Sequence, residues 1–66
     1  MNEDQKNQII QKRYLPALRK AKISPLAMNE IKEIYQDIIS KGLSKETAEM
    51  LFYSAFSIFS NEVCNG

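Results

Sequence analysis

Residues 24–46 read SPLAMNEIKEIYQDIISKGLSKE, and the punctuation of this stretch decides the fold. Ser24 is a good N-cap, and Pro25 suits a first helical position, where a missing N–H costs nothing. Gly42 has the marks of a left-handed C-cap, with Leu43 placed to close the apolar contact that follows such a cap. Ser44 then caps another helix, with Glu46 in its first turn, near the positive end of the helix dipole. One helix is thus bracketed at both ends, over about 25–41, and the next begins at about residue 45. A link of roughly three residues predicts antiparallel neighbours, a tight helical hairpin.

The bracketed helix is amphipathic. Ala27, Met28, Ile31, Ile34, Tyr35, Ile38 and Ile39 cover an arc of about 140° on a helical wheel. Glu30, Lys32, Glu33, Gln36, Asp37, Ser40 and Lys41 fill the other side. The helix after it, over about 45–63, is of another kind. From Met50 to Asn61 it carries no charge. Ala48, Leu51, Phe52, Ala55, Phe56, Ile58, Phe59 and Val63 span about 160°. Tyr53 and Met50 lie outside that arc, and the remaining face is Thr47, Ser54, Ser57, Ser60 and Asn61. Two short helices do not easily cover such a surface. It is expected either at the centre of an oligomer or as an aromatic patch for another protein.

Upstream, residues from about 3 to 22 predict a first helix. Glu3 and Asp4 suit its N-terminus. Ile10, Tyr14, Ala17, Leu18 and Ala21 recur at the spacing of one helical face. Pro16 interrupts it and removes the donor for the Lys12 carbonyl. Because the apolar phase continues past the proline, the expectation is one kinked helix, not two.

Composition narrows the class. The chain has 66 residues, enough for one small domain. At 44% apolar and 26% charged it is too apolar to be disordered. It holds no histidine and one cysteine, which excludes a disulfide framework, a Cys/His zinc site and a histidine-based triad within one chain. No charge-free run approaches the ~20 residues of a membrane span. There is no basic-then-apolar leader pattern, and one unpaired thiol suits a reducing interior, so a cytoplasmic setting is expected.

Three constellations bear on chemistry. Residues 6–22 hold Lys6, Lys12, Arg13, Arg19, Lys20 and Lys22 and no acid. They are suited to phosphate contact, although they spread over about 200° of the helix and form no narrow stripe. Glu30, Glu33 and Asp37 share a face of the second helix, where a solvated ridge with an Asp37–Lys41 pair is the simpler expectation than a cation site. Glu62 points onto the apolar side of the third helix and needs a basic partner if it is covered there; Arg13 or Arg19 would serve. A helix-turn-helix reading of residues 34–53 fits at Gly42, Ala48 and Leu51. It fails at Glu46 and Glu49, which repel phosphate from the would-be reading helix. Cys64 has no residue beside it to activate it.

Two local likenesses complete the reading. The hairpin around Lys41-Gly42-Leu43-Ser44 resembles that of the small sporulation phosphatases, whose second helix carries a Ser-Gln-Glu-Leu-Asp signature. The corresponding stretch here is Phe52-Tyr53-Ser54-Ala55-Phe56, which has no carboxylate, so the activity does not carry over. Ala21-Lys22-Ile23-Ser24-Pro25 followed by a helix is similar to the hook of Sin-type anti-repressors over about a dozen residues, and a cap followed by proline is a generic motif.

The expected fold is therefore all-α: one domain over residues 1–66, a three-helix unit with a kinked first helix and a tight hairpin, assembling as a homodimer. The expected function is that of a small non-enzymatic interaction protein. A phage- or plasmid-borne regulator or inhibitor fits, binding a host protein through an apolar helix surface. Phe52, Tyr53, Phe56 and Phe59 are the expected anchors at the partner or dimer interface. The alternative is a nucleic-acid-binding module, a transcriptional regulator, using Lys12, Arg13, Arg19 and Lys20. Neither catalytic residue, metal, cofactor, small-molecule substrate nor membrane enters this reading.

Overall fold

The computed structural model describes residues 2–65. The protein is all-helical, with three helices and no strand among those residues. The first helix is composite: α1 (Glu3–Ile9), a π turn (Ile10–Tyr14) and α2 (Leu15–Ile23) follow one another without a break. A 3-10 turn (Pro25–Ala27) leads into α3 (Met28–Ser40), and after a link of four residues α4 (Lys45–Asn65) begins.

Local chemistry accounts for the boundaries. Asn2 opens α1 with a capping box. Its side chain accepts from the Gln5 N–H (2.9 Å), and the Gln5 side chain accepts from the Asn2 N–H (3.2 Å). Gly42 has φ +91°, the left-handed conformation that ends α3, and its N–H donates to the Ile39 carbonyl at 3.0 Å. Ser44 caps α4 by accepting from the Thr47 N–H at 3.0 Å. At the other end of α3 the cap expected of Ser24 does not form. Its side chain makes no capping hydrogen bond. Its backbone N–H donates to Lys20 at 2.8 Å, and its carbonyl accepts from Ala27 at 3.0 Å. The α-helix then starts at Met28 rather than at residue 25, because the proline-led turn winds first as 3-10. Met28, assigned above to the buried face, is exposed there.

Pro16 lies just beyond the π turn, in the first turn of α2. The Leu15 N–H donates five residues back, to the Ile10 carbonyl. A π turn holds one residue more than the α-helical turn it replaces, which widens the backbone where the pyrrolidine ring would otherwise crowd the Lys12 carbonyl. The extra residue also rotates α2 against α1 by about 100°.

Each helix touches both others: α4 packs on α2, the π turn and α3, and α3 packs on α2 and the π turn. The core is one cluster: Ile10, Tyr14, Leu15, Ala17 and Leu18 from the first helix, Ile31, Ile34 and Ile38 from α3, and Ala48, Leu51 and Ala55 from α4. Tyr14 and Leu15 are completely covered. Leu15 lies off the face read from an ideal 100° periodicity. It is buried because the first helix is covered from two sides and the π turn shifts its phase. α4, which is uncharged only from Met50 to Asn61, contributes two alanines and one leucine to the buried set, so its aromatic rings lie at the edge of the core or outside it.

Candidate interaction surface

The four expected anchors divide into two pairs. Phe52 and Phe59 are half-buried and pack against the core. Phe52 meets the ring of Tyr14 edge-on, with centroids 5.7 Å apart. Tyr53 and Phe56 stand outward, 65% and 48% exposed. Each is near Phe52, at 5.9 and 6.1 Å between centroids. The result is an aromatic ladder from the core to the surface, and its outer half is unsupported. Met50, at 67% exposure, extends the apolar area toward α1.

Between α3 and α4 this ladder borders a groove of about 300 Å³. Tyr14, Ile31, Tyr35, Phe52 and Tyr53 form its apolar walls, with Lys32, Gln36 and Glu49 among its polar lining. The Tyr14 hydroxyl donates to the Ala48 carbonyl at 3.4 Å. Burial pushes the Tyr14 pKa up to about 12; the neighbouring Tyr35 adds to this and Arg13 opposes it. Tyr14 is therefore a neutral, fixed part of the structure. A second apolar area, missed in the sequence, surrounds the α2–α3 turn, where Ile23 is 87% and Leu26 77% exposed. Their signal was available: both are large apolar residues beside a proline turn, where neither fits the face of a helix.

The four candidate nucleic-acid contacts meet a different environment. Arg13 is ion-paired with Asp37 at 2.6 Å, and Lys41 joins the same carboxylate at 3.2 Å. Arg19 is bidentate on Glu62, at 3.1 and 2.5 Å. Lys20 reaches Glu30 at 3.5 Å. Among the described residues, Lys12 alone of the four makes no ion pair; it lines an open cleft with Gln5, Gln8, Ile9 and Leu43. The partner expected for Glu62 is thus Arg19, and the Asp37–Lys41 pair forms as expected, with Arg13 added. The hydrogen bond from Arg19 holds the Glu62 carboxyl below its ordinary pKa, and those from Arg13 and then Lys41 do the same for Asp37. Two of the three carboxylates of the acidic ridge of α3, Glu30 and Asp37, are thus engaged by Lys20 and Arg13 of the first helix, while Glu33 is exposed; no cluster of metal-ligating side chains occurs among the described residues.

Among the described residues no helix is long and apolar enough to cross a membrane. Cys64 is a free, exposed thiol. Compared with known proteins, the chain matches no family model, no curated protein and no solved structure.

Proposed function

We propose that this protein is a small non-enzymatic interaction module that binds another polypeptide through the outward face of α4. One observation carries the reading: the uncharged run Met50–Asn61 leaves Met50, Tyr53 and Phe56 about half or more exposed to water on a single helix. A folded domain this small gains stability by burying such groups. Leaving them in the open is consistent with a surface reserved for contact. Two aromatic anchors and Met50 in a charge-free patch, with Lys32 and Glu49 at the rim, fit the aromatic-rich, charge-poor centre and polar rim of a protein–protein interface. A regulator or inhibitor acting by occupying a partner is the corresponding biological role, and a homodimer is the simplest assembly.

The nucleic-acid reading has less behind it. Binding phosphate through Arg13, Arg19 or Lys20 requires breaking pairs that bridge the first helix to α3 and α4. A phosphate-tracking surface of six free cations is reduced to scattered ones.

Photo-crosslinking tests the interaction reading. With a photoreactive side chain in place of Tyr53 or Phe56, adducts with protein are expected. The same group at Gln8 or Lys22, exposed elsewhere, is expected to give none. Equal labelling at all four positions would remove the α4 face as the site.

A further inference from the structure

Resting on that reading of α4, we infer that the polypeptide on this face is a second copy of the same chain, with the two α4 helices antiparallel and the two-fold axis between Phe56 and Ser57. The outward residues of α4 recur at alternating spacings of three and four. Glu46, Tyr53 and Ser60 form a central column, flanked by Glu49, Phe56 and Val63 on one side and Met50, Ser57 and Cys64 on the other. Of these, only Glu49 and Ser60 are half-buried; the rest are exposed.

The contents of the column select the direction. In a parallel pair each residue of the central column faces itself. Glu46 would face Glu46, Tyr53 would collide with Tyr53, and the two Ser60 would leave a void. In the antiparallel pair each Tyr53 lies over the small Ser60 of the second copy. The two Phe56 rings meet at the axis, and both copies of Glu46 fall outside the paired stretch. Charge, bulk and void are relieved by one register.

The area is sufficient. Covering the exposed parts of Met50, Tyr53, Phe56 and Val63 in both copies removes on the order of 1,000 Å² from water, the lower bound of a specific interface. The groove between α3 and α4 borders this seam at Tyr53 and Glu49, which leaves room for the second copy to settle against α3.

Cross-linking decides the register. In the antiparallel pair Ser57 lies beside its own counterpart, while the two Cys64 are separated by roughly 20 Å along the helix axis, well beyond disulfide reach. Under mild oxidation with diamide, a Ser57→Cys, Cys64→Ser variant is expected to form a covalent dimer, and the wild-type Cys64 is expected not to. A dimer cross-linked through Cys64, with Ser57→Cys inert, would overturn the antiparallel register but keep the α4 face. A wild-type chain that stays monomeric by light scattering at high concentration would overturn self-association and leave α4 as a face for a different protein. A dimer unchanged by Phe56→Asp would overturn both this inference and the reading it rests on.

Discussion

Tyr14 shows how one residue ties the first helix to α4. It sits in the π turn, is covered on all sides, touches Phe52 with its ring and donates to Ala48 of α4. Removing only the hydroxyl, in Tyr14→Phe, is expected to cost about 0.5–1.5 kcal/mol in a denaturant melt at neutral pH. The Ala48 carbonyl keeps its own helical donor, so no orphan is created. The raised pKa adds a second signature. The unfolded phenol ionises near the ordinary tyrosine value of 10.0 and the folded one at about 12. This stabilisation is fully present below pH 10 and is lost as pH rises from 10 to about 12. Tyr14→Phe is expected to flatten that part of the alkaline limb; an unchanged limb would show that Tyr14 is not the group responsible. At acid pH the sign reverses. Asp37 and Glu62 are held below their ordinary values, so their contributions are present above the unfolded pKa and fade as pH falls through the folded one. In a carboxyl titration by NMR, Arg19→Gln is expected to return Glu62, and not Asp37, toward the ordinary carboxylate value.

At the scale of the helix, cap chemistry was legible where a side chain had one available task. Gly42 and Ser44 form the left-handed stop and the N-cap that their positions in the sequence imply. Ser24 has the same credentials, but the residues after it wind as a 3-10 turn that draws only on its backbone. The capping box of Asn2 and Gln5 was present as Asn-x-x-Gln, hidden by the more conspicuous acids Glu3 and Asp4. The π turn was not legible. A proline in a helix signals that one hydrogen bond is lost, but not whether the backbone will bend or take in a residue, and that choice changed the face on which Leu15 lies. Thermal melts of single substitutions check these assignments. Ser44→Ala is expected to lose about 1 kcal/mol, and Gly42→Ala about 1–2 kcal/mol, because alanine at φ +91° is strained. Ser24→Ala is expected to remain within about 0.5 kcal/mol of the parent protein; a loss as large as that of Ser44→Ala would mean that Ser24 caps α3 after all.

At the scale of the whole molecule, three helices enclose one small core and leave the aromatic half of α4 outside it. Which of Phe52, Tyr53, Phe56 and Phe59 would be inside could not be read from the sequence. On an isolated wheel all but Tyr53 share an arc, and only the positions of α2 and α3 divide that arc into covered and open halves. The same packing explains the fate of the basic residues. Arg13, Arg19 and Lys20 tie the first helix to its neighbours, a role that no count of charges along one helix reveals. The two classes of aromatic residue should therefore respond differently to substitution. Phe52→Ala is expected to destabilise the fold by about 2–4 kcal/mol in a denaturant melt, since the ring covers Tyr14. Phe56→Asp is expected to leave the monomer's own stability nearly unchanged. Self-association through α4 is tested most directly by the mass in solution, by light scattering across a range of concentrations, of the wild-type protein beside Phe56→Asp. The wild-type mass is expected to rise to twice that of the chain, and the Phe56→Asp protein to stay folded and monomeric. Identical masses for the two proteins at every concentration would contradict self-association through α4.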